Sequence, residues 1–180
     1  MRVITGSARG MKLFTLEGES VRPTTDKVKE ALFSIIQFDI EGRRALDLFA
    51  GSGQLGVEAL SRGAAFAQFV DENKQAISVI NKNLEKTKLL PLSSVAHTDA
   101  FSFLRATRSK FDLLFLDPPY DKGLVLKALP LCKEVANEGA VIVCETSEKE
   151  ILPESIDGLI FRKRYKYGKT ALTVYERSGE

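Results

Sequence analysis

The segment Asp117-Pro118-Pro119-Tyr120 combines residue types that can bind and activate a planar amine. The four residues before it, Leu113 to Leu116, are all hydrophobic, as in a strand that is buried on both faces of a parallel sheet. Prolines cannot extend a central strand, so the chain leaves the sheet directly after the aspartate. Asp117 is therefore predicted to lie at the carboxyl edge, where open α/β sheets bind ligands.

An exocyclic amino group of a nucleobase fits this arrangement, because its nitrogen lone pair is delocalised into the ring. A catalyst makes that nitrogen nucleophilic by accepting both of its N–H groups. We predict that Asp117 accepts one N–H, that the Pro118 carbonyl accepts the other, and that Tyr120 stacks on the base, which contributes ~1–3 kcal/mol. Pro119 belongs to the same rigid turn. The simpler alternative is that these residues only terminate a strand.

The tetrapeptide resembles the (Asn/Asp)-Pro-Pro-Tyr motif of nucleic-acid methyltransferases that act on amino groups. The resemblance implies a target base whose amino group is methylated.

Composition indicates an ordinary globular protein. The chain has 180 residues, of which 44% are hydrophobic and 28% charged, and this length fits a single domain over residues 1–180. It contains no apolar run near the ~20 residues of a membrane span. The first residues lack the apolar core of a signal peptide, so we expect a cytoplasmic protein. Two cysteines and one histidine provide no convincing metal-binding set, and we expect no metal.

Strands alternate with helices along most of the chain. This pattern predicts a doubly wound, Rossmann-like α/β sheet with seven strands, of which the last two form an antiparallel hairpin. The resemblance to amino-directed methyltransferases implies that this sheet is of the class I methyltransferase type. Residues 1–23 are predicted to form a small β arm before it. The predicted strands are Ala45–Phe49, Phe66–Val70, Ser94–Thr98, Phe111–Leu116, Ala140–Cys144, Leu159–Lys166 and Thr170–Glu176.

A glycine turn follows the first of these strands and precedes a helix. Gly51-Ser52-Gly53-Gln54-Leu55-Gly56 matches the G-x-G-x-x-G pattern of nucleotide-binding turns. Gly51 would make the tight turn, Gly53 would let a ligand approach the backbone, and Gly56 would allow close helix packing. The pattern alone does not distinguish a dinucleotide from S-adenosylmethionine.

Acids at three strand ends bear on the choice between a dinucleotide and S-adenosylmethionine as the cofactor. Asp71 lies about twenty residues beyond the turn, where either cofactor would present ribose hydroxyls. Asp47, beside the turn, would repel a pyrophosphate but suits the ammonium and sulfonium of S-adenosylmethionine. Asp99 could accept a hydrogen bond from an adenine amino group. The alternative for each acid is a helix N-cap.

Basic residues cluster near both ends of the chain and are candidates for phosphate contacts. Arg22 precedes a proline and could hold RNA phosphate, hold a cofactor carboxylate or form a structural salt bridge. The full predicted RNA-binding set is Arg2, Arg9, Lys12, Arg22, Arg162, Lys163 and Arg164.

Nearly the whole chain resembles the RsmD family. The matching segments are residues 2–12, Arg22-Pro23-Thr24-Thr25-Asp26, Leu46–Gly56, Glu58–Ala64, Asp99-Ala100, Asp117–Tyr120 and Tyr167–Thr170 with Leu172. The resemblance implies an S-adenosylmethionine-dependent methyltransferase acting on guanine N2 in bacterial 16S ribosomal RNA. The predicted cofactor-binding residues are Asp47, Phe49, Gly51, Gly53, Asp71, Asp99 and Ala100. The family usually has Val-Glu-x-Asp where this chain has Val70-Asp71-Glu72-Asn73, so Glu72 is an alternative ribose ligand.

Three other functions are compatible with parts of the sequence. An adenine-N6 methyltransferase acting on DNA or RNA would share every chemical motif. An NAD-dependent oxidoreductase would leave the Asp-Pro-Pro-Tyr segment and the basic ends unexplained. A non-catalytic RNA-binding module would not need acids at three strand ends. The expected partner is ribosomal RNA, within a small-subunit ribonucleoprotein particle, and the expected state is a monomer.

Overall fold

The computed structural model describes residues 1–17 and 25–179, and its helices and strands alternate largely as predicted. The helices are α1 (Thr25–Ile35), α2 (Gln54–Ser61), α3 (Lys74–Thr87), α4 (Ala100–Ala106) and α5 (Leu124–Val135). The strands are β1 (Arg44–Asp47), β2 (Phe66–Asp71), β3 (Ser93–His97), β4 (Phe111–Leu116), β5 (Ala136–Ser147), β6 (Ser155–Ile156), β7 (Leu159–Tyr167) and β8 (Thr170–Arg177).

All strands belong to one sheet of order β3-β2-β1-β4-β5-β8-β7-β6. Strands β1 to β5 are parallel, and β8 pairs antiparallel with both β5 and β7. The chain proceeds from β1 outward to β3 and then returns past β1 to β4 and β5. This arrangement confirms the doubly wound sheet and its antiparallel C-terminal pair.

The predicted number of strands is wrong, because within residues 1–17 and 25–179 the sheet has eight strands and not seven. The additional strand, β6, contains only two residues and is too short to show an alternating pattern. Strand β1 ends at Asp47, so Phe49 lies in the following loop. Strand β5 is longer than predicted, and its pairing with β4 shifts register between Phe111 and Leu113.

Both faces of the parallel strands are covered by helices, which explains their continuous apolar sequences. On β4, Leu113 and Phe115 join a core cluster that includes residues of α1, α2 and α3. Leu114 and Leu116 face the opposite cluster, to which α4 and α5 contribute. Alternate residues of one strand therefore bury against different helices.

The N-terminal segment is docked on this core. Arg2 and Lys12 form an antiparallel bridge in the described part of the predicted β arm, whose residues 18–23 lie outside the described residues. Val3, Ala8 and Leu13, however, are buried in the same core cluster as α1, α2 and α3. The segment is therefore an integral part of the folded core.

A buried carboxylate holds the first residues in place. Glu58 of α2 is 0% exposed and accepts hydrogen bonds from the backbone N–H of Ile4 at 2.8 Å and of Thr5 at 3.0 Å. Arg62 Nε donates to it at 2.8 Å, and the buried Lys29 Nζ lies 3.6 Å away. Burial lowers the pKa of Lys29, and the charge of Glu58 opposes that change. The carboxylate is thus fully paired although it lies away from water.

A second buried group connects this segment to the glycine turn. Asn83 of α3 accepts a hydrogen bond from the Phe14 N–H at 2.8 Å and donates to the Phe14 carbonyl at 3.0 Å. Its amide also donates to the Ser52 carbonyl at 2.9 Å. One side chain therefore supports both the N-terminal segment and the turn after β1.

Replacing Glu58 by Gln should destabilise the protein by about 3–5 kcal/mol, because a buried ion pair loses one partner and Lys29 stays buried. The amide also places an NH₂ group where a carboxylate oxygen accepted an N–H. Urea unfolding of the variant measures the change in the free energy of unfolding.

Glu138→Gln is the matched control, because Glu138 is exposed and a surface change of this kind stays within about 0.5 kcal/mol. Equal destabilisation by the two substitutions would show that the buried carboxylate does not hold the N-terminal segment.

Candidate active site

A cleft lies at the carboxyl edge of β1 and β4, where the winding direction of the sheet reverses. Ligands bind at such switch points in open α/β sheets. The cleft encloses about 360 Å³, part of it open to solvent. Its lining residues are Asp47, Phe49, Ala50, Gly51, Ser52, Gln54, Leu55 and Asp117. The glycine turn and the Asp-Pro-Pro-Tyr segment therefore meet at one site.

The glycine turn has the expected backbone conformation. Gly51 and Gly53 have positive φ angles of 55° and 79°, and Gly53 is the N-cap of α2. A Cβ atom on Gly56 would lie 2.3 Å from the ring of Phe69, which confirms that this glycine allows α2 to pack closely on β2. A Cβ on Gly53 would also face Phe69 and Ile80. The structure thus relates Gly53 to backbone conformation and internal packing, and its predicted contact with a ligand stays a prediction.

Asp47 is buried at the base of the cleft. Asp47 is only 1% exposed, and its Oδ2 accepts a hydrogen bond from the Gly56 N–H at 3.0 Å. Burial raises the pKa of Asp47 to about 7, the charge of Asp71 raises it further, and the hydrogen bond from Gly56 opposes both. A cation in the cleft would stabilise the carboxylate form.

Asp71 braces the glycine turn from the end of β2. Its Oδ2 accepts a hydrogen bond from the Gly51 N–H, and its Oδ1 accepts one from the Asn73 N–H, both at 2.8 Å. A carboxylate offers about four lone-pair positions, so these bonds leave capacity for hydroxyl donors. The ribose role stays a prediction, and so does the alternative role of Glu72, which is exposed.

Asp99 forms the N-cap of α4, the alternative considered for each strand-end acid. Its Oδ1 accepts a hydrogen bond from the Ser102 N–H at 2.9 Å. Hydrogen bonds from Ser102 lower the pKa of Asp99. Ala100 is the buried first residue of the helix. A contact of either residue with adenine stays a prediction.

Tyr120 is fixed by its hydroxyl group to the neighbouring strands. The hydroxyl donates to Glu145 Oε1 at 2.5 Å and lies 3.2 Å from Thr170 Oγ1. Burial, and then the charge of Glu145, raise the pKa of the Tyr120 phenol, which therefore stays protonated. Asp117 raises this pKa in the same way. Stacking of the ring on a base stays a prediction, as do hydrogen bonds from the base to Asp117 and to the Pro118 carbonyl beside Pro119.

Sequence reasoning assigned no role to Glu145 or Thr170. Glu145 was the carboxylate at the predicted end of a strand, the same signal that singled out Asp117. It carried no neighbouring motif, and only the pairing of β4, β5 and β8 brings it to Tyr120. Asp121 was also missed; it has a φ of 59° and accepts a hydrogen bond from Ser147 Oγ at 2.6 Å. These contacts anchor the turn on both sides of the motif.

The N-terminal basic residues are exposed. Arg2 and Lys12 are directly paired across the antiparallel bridge, which places their side chains on the same face. Together with Arg9 they form no ion pair with any acid in residues 1–17 and 25–179. Arg22 lies outside the described residues.

The C-terminal basic residues differ from one another. Arg162 is paired with Glu176 at 2.6 Å and with Asp39 at 3.8 Å. Arg164 Nη2 donates to the Glu148 carbonyl at 2.7 Å. Lys163 is exposed and lies 5.1 Å from the centre of the Tyr165 ring. Arg162 is therefore partly neutralised and Arg164 is engaged by a backbone carbonyl, which weakens the predicted phosphate contacts of both residues.

The sheet topology, the glycine turn after β1 and the strand-end acids define a class I methyltransferase fold. A family model described as "Conserved hypothetical protein 95" matches residues 1–176. The chain is 33% identical to "Ribosomal RNA small subunit methyltransferase D" of Escherichia coli (strain K12), over 100% of this chain and 91% of the relative. The chain belongs to the RsmD family of methyltransferases.

Two further comparisons agree with this assignment. "Putative rRNA methyltransferase YlbH" of Bacillus subtilis (strain 168) is 41% identical, over 99% of this chain and 100% of that protein. The solved structure "Putative methyltransferase yhhF from Escherichia coli" is 33% identical and superposes with a TM-score of 0.89, over 100% of this chain and 99% of that one. In the part of the chain described here, no helix is long and apolar enough to cross a membrane.

The raised pKa of Asp47 predicts a pH-dependent affinity for S-adenosylmethionine. The folded, ligand-free protein keeps a proton that the unfolded chain releases near pH 4, so its stability falls as the pH rises from about 4 to about 7. A bound cation favours the carboxylate, so binding releases this proton. The dissociation constant should therefore fall by about tenfold between pH 6 and pH 8, as measured by calorimetry.

Asp47→Asn keeps an oxygen for the Gly56 N–H but cannot titrate. Its affinity should be weaker and should retain only the pH dependence of the ligand's own amino group. Identical pH profiles for the two proteins would exclude Asp47 as the titrating group.

Proposed function

We propose that this protein transfers a methyl group from S-adenosylmethionine to the N2 amino group of a guanine in 16S ribosomal RNA. The observation that carries the proposal is the position of Asp117, which lines the cleft formed by the glycine turn and lies beside Tyr120. Membership of the RsmD family supports the substrate, because relatives bear the name ribosomal RNA small subunit methyltransferase D.

The residues of the cleft suit S-adenosylmethionine. A buried carboxylate, Asp47, lies where a cation would compensate its charge, and Gly51 and Ser52 of the glycine turn line the same space. We assign the ribose hydroxyls to Asp71, the adenine to Asp99 and Ala100, and a flanking apolar contact to Phe49. When bound, S-adenosylmethionine would supply an electrophilic methyl carbon: its C–S bond breaks to release the thioether, and the methylated amine then loses one N–H proton to solvent.

The chain's own task is then to position the amine and make its nitrogen nucleophilic. Asp117 accepts one N–H of the amine and the Pro118 carbonyl accepts the other, so the lone pair is withdrawn less into the ring. Tyr120, held by its hydroxyl, supports the base on one face. As the nitrogen becomes positive, its hydrogen bond to Asp117 strengthens, so this interaction acts mainly on the transition state.

The rival functions have less support. A pyrophosphate of NAD would approach Asp47 unfavourably, and family membership also opposes an oxidoreductase. A non-catalytic RNA-binding module has no use for buried Asp47 at the glycine turn. Adenine-N6 methylation shares the motif; the names of the relatives favour ribosomal RNA as the substrate, and the choice of guanine N2 rests on the resemblance to the RsmD family. We further propose that the protein acts as a monomer in the cytoplasm, as a single domain, on a small-subunit ribonucleoprotein particle.

Loss of Asp117 tests the proposed chemistry. Asp117→Ala should lower the rate at saturating substrate by roughly 10²–10³, as for deletion of one transition-state partner, while the dissociation constant for S-adenosylmethionine stays within about twofold. Single-turnover methylation measures the rate. Mass spectrometry of ribosomal RNA nucleosides, from a deletion strain carrying either gene, should show N2-methylguanosine restored by the wild type and not by the variant.

Asp117→Asn is the matched variant, because it keeps an acceptor oxygen and loses only the charge; we expect measurable residual activity. A folded Asp117→Ala protein that methylates guanine at the wild-type rate would refute the role of Asp117. The appearance of N6-methyladenosine in place of N2-methylguanosine would refute the proposed base.

RNA phosphates should contact the exposed N-terminal cations, which form no ion pair with any acid among the described residues. The double substitution of Arg2 and Lys12 by Gln should reduce the slope of log K against log salt by about 0.7 for each lost contact to single-stranded RNA. Filter binding at several salt concentrations measures this slope.

Arg162→Gln is the comparison. Because Arg162 is already paired with Glu176, this substitution should leave the slope nearly unchanged. A larger change for Arg162→Gln than for the double variant would place the phosphate contacts on β7 instead.

A further inference from the structure

Glu145 lies beside Asp117 at the carboxyl edge of the sheet. In the parallel pair β4 and β5, Leu116 is in register with Cys144. Asp117 directly follows Leu116, and Glu145 directly follows Cys144. Leu113 and Phe115 on β4 face the same core cluster as Val141 and Val143 on β5. By strand alternation Glu145 continues that face, which is also the face of Leu172, its partner on β8.

The carboxylates of Glu145 and Asp117 both interact electrostatically with the Tyr120 phenol. Glu145 accepts the phenol O–H at 2.5 Å, and the charges of Glu145 and Asp117 both raise the pKa of this group. Glu145 is itself only partly buried. The site thus holds two acceptors, on neighbouring strand ends, around one aromatic ring.

Guanine and adenine differ next to the amino group. In guanine the N2 amino group adjoins the N1–H, so this edge presents a continuous set of N–H donors. In adenine the N6 amino group adjoins an N1 lone pair, which is an acceptor. Enzymes that act on a base out of its stack read this Watson–Crick edge through hydrogen bonds. Two adjacent carboxylates match the donors of guanine and oppose the lone pair of adenine.

We propose that Glu145 is the residue that selects guanine, by accepting the N1–H while Asp117 accepts an N–H of the adjacent amino group. This inference rests on the proposed function and specifies which side chain reads the base. A carboxylate has about four lone-pair positions, so Glu145 can accept the Tyr120 hydroxyl and the N1–H together. Thr170 then keeps the Tyr120 hydroxyl directed at Glu145.

Substitution of 2-aminopurine for the target guanine tests the proposal, because this base keeps the 2-amino group and lacks the N1–H. The substrate is the 16S RNA fragment that carries the mapped guanine, assembled with small-subunit proteins if the particle is required. Wild-type kcat/KM should fall by on the order of 10²-fold or more with 2-aminopurine, since a charged acceptor then faces a lone pair.

Glu145→Gln should reduce this preference to within about tenfold, because its carboxamide can donate to the unprotonated N1 while its oxygen still accepts the Tyr120 hydroxyl. Tyr120→Phe is the matched control: it removes the tether and leaves Glu145, so methylation slows while the preference for guanine over 2-aminopurine persists.

A preference that is unchanged in Glu145→Gln, or that is lost equally in Tyr120→Phe, would overturn the proposal and leave Glu145 as a support for the tyrosine. These outcomes require N2-methylation by the wild type. Its absence from every guanine substrate would instead overturn the proposed function, and this inference with it.

Discussion

The register between parallel strands determines where along the sheet each strand ends. The geometry of the site depends on this register. Pairing of Leu46 with Leu114, and of Leu116 with Cys144, brings the ends of β1, β4 and β5 to one edge. Shifting one strand by a single residue would turn its acid to the opposite face, because side chains alternate. The apolar residues on both faces oppose such a shift, so burial of the core also positions the acids.

Buried polar groups connect this edge to the rest of the protein. Glu58 and Asn83 satisfy backbone groups of the N-terminal segment, and Asn83 also holds the Ser52 carbonyl of the glycine turn. A half-satisfied buried network is more unfavourable than an apolar core. Such contacts are therefore maintained together, and they connect the surface that carries Arg2 and Lys12 with the turn that lines the cleft.

Environment separates the acids of the edge by role. Asp47 is buried and its pKa rises to about 7, whereas Asp99 is partly exposed and hydrogen bonds from Ser102 lower its pKa. Asp71 is committed to two backbone N–H groups of the adjacent loops. Similar residues at similar strand positions thus provide a buried carboxylate with a raised pKa, a helix cap and a hydrogen-bond acceptor for two loops.

Local patterns in the sequence were sufficient for most of the fold. Continuous apolar runs, the glycine turn and the prolines after Asp117 each depend on near neighbours. They predicted the parallel strands and the doubly wound sheet, and together with the other matching segments they carried the resemblance to the family. The two-residue strand β6 was not predicted, because so short a segment has no periodicity.

What the sequence by itself determined is the chemistry available at the edge, since residue types and local backbone limits are properties of adjacent positions. Only the tertiary structure decided which groups meet. Glu145 contacts Tyr120 across a separation of 25 residues. Glu58 contacts Ile4 across 54 residues. Glu176 pairs with Arg162 across 14 residues. Such contacts arise from strand pairing and helix docking, which no local pattern encodes.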